Sequence, residues 1–157
     1  MTLFSSSLHY LCPDNVTFSI DLATSWMNSS VVVKTIPKNG PPILNYEILS
    51  RSLDGSSFYM WGGGTAFNGK LKDTPTHTLW KFTSDLKGGG IWSQEIVVDL
   101  NFPELPRTWG CLSAVGKGTV YYIGGEVTSY SDNLSKTLPQ SIRNIYFQHV
   151  FGCMGQW

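Results

Sequence analysis

Apolar and polar residues along this chain exchange places at a period of two, in short runs broken by Gly, Pro, Asn, Asp and Ser. Val16 to Asp21 alternates, and Ser30 to Ile36 carries three consecutive valines with Thr35 and Ile36 close behind. Phe58 to Trp61 is dominated by aromatics and runs into Gly62, Gly63 and Gly64. Thr78 to Thr83 alternates again, and Ile91 to Val98 does so less cleanly. Trp109 to Ala114 and Thr119 to Ile123 form a further pair, the second ending on Gly124 and Gly125. Runs of about 4 to 8 residues between turn formers are the signature of β-strands. Ser141 to Val150 is the one stretch that could also be helical, and its Ile, Tyr, Phe and Val suit a strand equally well. The pattern predicts an all-β chain.

The runs also repeat. Pro37 follows Trp26 at the same interval at which Pro103 follows Trp92. Between these pairs lies Ser57-Phe58-Tyr59-Met60-Trp61-Gly62-Gly63, and its counterpart is Thr119-Val120-Tyr121-Tyr122-Ile123-Gly124-Gly125. Each follows a tight turn, Asp54-Gly55 in one case and Gly116-Lys117-Gly118 in the other. The order of Trp, Pro, aromatic strand and glycine pair therefore recurs at a period of roughly 60 residues, the mark of a repeated supersecondary unit. A glycine pair at a strand end allows positive φ and close backbone approach. The Trp offers a large apolar body to fill the gap between stacked sheets. Pro belongs where no ladder donor is needed.

These residues resemble the kelch repeat family, in particular the long-period kelch proteins of filamentous fungi. Tyr59-Met60-Trp61-Gly62-Gly63 resembles the hydrophobic strand and di-glycine of that repeat. Leu79-Trp80-Lys81-Phe82 resembles its third strand, and Trp92 its final Trp. Phe18 to Leu22 with Trp26 is similar to the back half of an earlier repeat, and Trp109 to Gly125 to the front half of a later one. The resemblance spans Val16 to Glu126 and implies a partial β-propeller of four-stranded antiparallel kelch-type blades. It divides the chain into a poorly ordered segment at 1–15, a half blade at 16–37, a full blade at 43–99, the start of another at 107–126, and a degenerate or partly ordered segment at 127–157. The chain has room for at most about three such units.

Composition narrows the function classes. Eleven basic and eleven acidic residues balance, so no net positive field favours nucleic acid or an anionic membrane. Charged residues are only 14% of the chain, while the 16 glycines and 13% aromatics suit tight turns between bulky strands. No apolar run is long enough for a membrane-spanning helix. The N-terminal MTLFSSSLHYL lacks the basic and apolar regions of a signal peptide, whereas sequons at Asn15, Asn28 and Asn133, like the family resemblance, lean towards a secreted setting. The compartment stays open.

Candidate chemistry is sparse. Cys12, Cys111 and Cys153 have neither disulfide-framework nor zinc spacing. His9, His77 and His149 lie far apart, and the two triple-glycine runs, 62–64 and 88–90, read as turns because no phosphate-loop motif surrounds them. Asp54, Asp73, Asp85 and Asp99 sit where Asx turns are the ordinary role. Trp26, Trp61, Trp80, Trp92 and Trp109 are expected in the core. No catalytic residue, metal ligand or cofactor site is assigned, and the chain is not expected to be an enzyme.

A non-catalytic binding or scaffold module is the leading expectation. A protein or carbohydrate partner would use the polar loops 65–76 and 126–136. Exposed blade edges invite self-association, since an incomplete ring leaves an apolar face in water and further copies could complete it. One alternative is a truncated propeller fragment without independent function. Another is a carbohydrate oxidase resembling the copper-radical oxidases, which would need a Tyr–Cys cross-link and paired His and Tyr ligands that the sequence does not place together.

Overall fold

The computed structural model describes residues 15–23, 25–52, 54–65, 78–97 and 125–132 in full, and the strands at 2–4, 7–11, 112–116, 119–123 and 149–152 through their backbone. Every regular element among them is a strand: β1 (Thr2–Phe4), β2 (Ser7–Leu11), β3 (Val16–Asp21), β4 (Val33–Pro37), β5 (Leu44–Arg51), β6 (Ser57–Thr65), β7 (Leu79–Ser84), β8 (Gly90–Glu95), β9 (Leu112–Gly116), β10 (Thr119–Ile123) and β11 (His149–Gly152). They form three antiparallel sheets, ordered β1-β2-β3-β4, β5-β6-β7-β8 and β11-β10-β9. The chain is all-β, as its period-two pattern requires. In the first two sheets each strand pairs with its neighbour in sequence, the arrangement that short connections favour.

In the first sheet, β1 and β2 precede the segment 16–37 and pair with it. β1 and β2 complete a four-stranded sheet in which Leu8 stands opposite Ile20 and Tyr10 opposite Phe18.

The second sheet holds the core. Phe58, Met60 and Phe82 are almost wholly excluded from solvent, with Trp92 and Ile36 buried beside them and Leu49 and Trp80 packed at the margin. Register explains the grouping: Phe58 stands opposite Phe82, and Phe82 opposite Trp92, so three aromatics share one face of β6, β7 and β8. The Phe58 and Phe82 rings stack at 4.9 Å, and Trp92 meets Phe58 edge-on at 5.3 Å. Such contacts add about 0.5–1.5 kcal/mol per pair beyond area burial. The opposite face is covered too, since Ile48, Ser50, Tyr59 and Trp61 are buried and β5 meets β9 of the third sheet.

Ile36 belongs to the first sheet, so the core spans two sheets. Thr17, its partner across the β3–β4 ladder, is 0% exposed and accepts a hydrogen bond of 3.1 Å from Trp92 Nε1. Ser19 is buried on the same face of β3, whereas Val16, Phe18 and Ile20 on the other face are only partly covered. The polar side of β3 thus faces the neighbouring sheet.

β5 was not legible in the sequence. Tyr46 takes a left-handed φ of 58° and is exposed, breaking the alternation of Leu44, Ile48 and Ser50. The glycine run 62–64 also departs from the turn reading, because β6 continues through it to Thr65. Gly63 has a φ of +76°, and a Cβ there would lie 2.9 Å from Asn45 O and 3.0 Å from Glu47 N. Glycine keeps β5 and β6 in register at this close approach. Of the run 88–90, Gly88 and Gly89 lie in the β7–β8 connection, and Gly90 already opens β8.

Candidate functional site

Loops 65–76 and 126–136 are the segments in which the sequence places a binding surface. Residues 66–77 and 133–136 lie outside the described residues, but the first residue of one loop meets the middle of the other. Thr65, the last residue of β6, donates its backbone N–H to Tyr130 O at 2.9 Å. Gly64 lies against the same peptide, for a Cβ on it would sit 3.1 Å from Tyr130 O. The segment holding Tyr130 is a compact turn: Ser131 N and Asp132 N donate to Thr128 O at 3.1 and 3.0 Å, and Thr128 N donates to Ser131 Oγ at 2.9 Å. Val127, Ser131 and Asp132 are buried, which anchors the turn and leaves Tyr130 61% exposed.

β5 forms the other wall of this corner. Asn45 stands opposite Gly64 and Glu47 opposite Gly62, with Tyr46 between them 65% exposed. Two accessible tyrosines thus flank the glycine segment on a backbone that is hydrogen-bonded on both sides. Burial pushes the Glu47 carboxyl above its ordinary range, while its own backbone amide and the nearby Lys38 pull it down. Lys38 is itself only 1% exposed, and its N–H donates to Asn15 O at 2.9 Å.

No family model matches the chain, and no curated protein matches it.

Other candidates fall where the sequence puts them or elsewhere. Asp54 caps the β5–β6 turn: its carboxylate accepts from the Ser52 and Ser56 hydroxyls at 2.6 Å each and from Ser56 N at 3.0 Å. These bonds hold it at about 2. Asp85 does the same for the β7–β8 turn, accepting from Lys87 N at 2.7 Å and Gly89 N at 2.8 Å, and is likewise held low, chiefly by the Lys87 amide. Both carry the Asx role expected of them. Asp73 and Asp99 lie outside the described residues, as do the side chains of the three cysteines and three histidines. Among the described residues no group of three His, Cys, Asp or Glu side chains could hold a metal ion.

The tryptophans divide. Trp61 and Trp92 are core, and Trp80 packs against it. Trp26 corrects the core expectation: it follows β3 in an irregular segment and is 46% exposed. Strand-free flanks gave it no sheet face on which to be buried. Trp109 lies outside the described residues. The tyrosine corner itself was half readable, since the two loops were marked by polarity and position. Tyr46 carried no signal, because its exposure follows from a left-handed backbone conformation that alternation does not reveal.

Proposed function

We propose that the chain forms kelch-type blades of a partial β-propeller and works as a non-catalytic binding or scaffold module, with its binding surface at the Tyr46–Tyr130 corner. The observation that carries this reading is the hydrogen bond between Thr65 and Tyr130, which brings the start of one variable loop against the middle of the other, beside a pair of exposed tyrosines. Binding surfaces favour tyrosine, whose large amphipathic ring loses little conformational freedom when a partner covers it. Loops on a packed sheet scaffold are the usual carriers of recognition.

The order of elements supports the propeller part of the reading. The glycine-bearing strand β6 is second in its sheet, Leu79 to Phe82 lies on the third strand and Trp92 on the fourth, as in the repeat that the sequence resembles. Trp92 also reaches the adjacent sheet through Thr17, the contact that face-to-face stacking of repeats calls for.

Site-specific photo-crosslinking tests the function. A benzoylphenylalanine at Tyr130 or Tyr46 should capture one discrete partner in an extract of the source cells, and the same group at Ser93 on β8 should not. Equal capture from all three positions, or none, would overturn the assignment of the corner. An experimental structure tests the fold: sheets fanned about one axis support the propeller, and sheets stacked as a sandwich refute it.

A further inference from the structure

A second site lies away from that corner. An open cleft of about 420 Å³ runs between the segment that follows β3 and the β7–β8 turn, lined by Asp21, Ser25, Trp26, Val32, Lys34 and Gly88 among others. Its volume lies at the small end of the range that holds small-molecule ligands, about 300–1,000 Å³.

Two charged groups of the cleft are each held by one bond that leaves capacity to spare. Asp21 Oδ1 accepts from Ala23 N at 2.8 Å, which orients the carboxylate and leaves Oδ2 available. Lys34 Nζ donates to Lys87 O at 2.7 Å, so two of its three N–H bonds remain. Trp26 is followed at once by a tight turn, in which Ser30 N and Val31 N donate to Met27 O and Ser30 Oγ accepts from Met27 N at 3.0 Å. The Trp26 ring is 46% exposed beside this turn.

Charge around the cleft is balanced. Asp21 and Lys34 line it, and Asp85, whose carboxyl is held low chiefly by the Lys87 amide, also lies within reach of the Lys34 and Lys87 charges. Two acids against two bases leave no net field to select an anion or a cation. A ligand with a flat C–H face for the indole and hydroxyls for a carboxylate, an ammonium and a serine satisfies all of these groups together.

We infer that this cleft binds a neutral pyranose sugar, stacked on Trp26 and hydrogen-bonded to Asp21 and Lys34. The site goes beyond the corner proposed for a macromolecular partner and shares no residue with it.

Saturation-transfer difference NMR on the intact chain tests the inference. The probes are methyl β-glucopyranoside, methyl β-galactopyranoside and methyl α-mannopyranoside, each at about 10 mM, enough to fill a site with a Kd of about 1 mM, with glycine as a zwitterionic control. At least one pyranoside should show transfer to its ring C–H protons. Trp26→Ala should weaken binding at least about tenfold, and Trp26→Phe should recover part of the loss. Asp21→Asn, which keeps the shape, should also weaken binding and guards against a folding defect in the Trp26 variants. Absence of transfer from all three sugars, undiminished binding in Trp26→Ala, or binding of glycine in their place would overturn the assignment.

Discussion

The hydrogen bond from Trp92 Nε1 to Thr17 Oγ1 joins residues 75 positions apart and crosses from one sheet to the next. Both partners are buried, with Thr17 at 0% exposure. Thr17→Val keeps the volume but leaves the indole N–H without an acceptor, and burying an unsatisfied donor costs about 1–3 kcal/mol. Trp92→Phe strands the Thr17 hydroxyl in the same way and removes packed surface, for a loss of about 2 kcal/mol or more. The double variant removes both polar groups, so neither is left unsatisfied. It should be less destabilised than the sum of the single variants by about 1–2 kcal/mol. In a chain of this size each kcal/mol moves the thermal midpoint by about 2–4 °C. Urea unfolding followed by far-UV circular dichroism, which does not depend on the indole removed, measures the cycle. Additivity within about 0.5 kcal/mol would refute the claim that this bond ties the two sheets. A single transition with an unchanged slope in urea would show that the sheets still unfold together in the double variant.

Other consequences can be checked in the same way. Phe82→Ala removes the central ring of the Phe58–Phe82–Trp92 cluster and should cost about 3–5 kcal/mol, a large part of the stability of an ordinary domain; a loss below about 1 kcal/mol would contradict the packing described. Gly63→Ala forces a Cβ onto the β5 backbone at positive φ and should destabilise by about 1–3 kcal/mol, whereas Gly89→Ala, without positive φ and meeting only the end of the Asp85 side chain, should cost less. The folded Asp54 carboxyl lies at about 2 against an ordinary 3.8; because the folded value is depressed, its stabilisation is complete above the ordinary value and is lost as pH falls through about 2. Asp54→Asn should flatten that acid limb in a plot of thermal midpoint against pH, and an unchanged limb would show that the Ser52 and Ser56 bonds do not hold the turn. Glu47 acts in the opposite sense: burial raises its carboxyl above the ordinary 4.5, so stability is gained as pH falls through the raised value, and Glu47→Gln should remove that gain.

Much of the strand inventory could be read from alternation and turn residues. Val16–Asp21 and Thr119–Ile123 form strands over the stretches the pattern marks, and the strands at 79–84 and 90–95 differ from it only at their ends. Asp54 and Asp85 were legible as turn caps because an Asx turn is made within a few residues of the side chain that closes it. Interactions local in sequence leave their mark in the sequence.

What tertiary structure decided is which face of each strand turns inward and where the backbone bends. Alternation marks β3 as a strand with Val16, Phe18 and Ile20 on one side and Thr17 and Ser19 on the other, and hydrophobicity alone would bury the first set. The folded chain buries Thr17 and Ser19 instead, because Trp92 arrives from a distant strand with a donor for Thr17 and Ile36 covers the same face. Trp26, Tyr46 and Tyr130 gain their exposure in the same nonlocal way, from a segment outside any sheet, from a left-handed residue opposite Gly63, and from a turn pinned to Thr65. A period of two fixes that a strand has two faces; only the neighbouring sheet determines which of them is the interior.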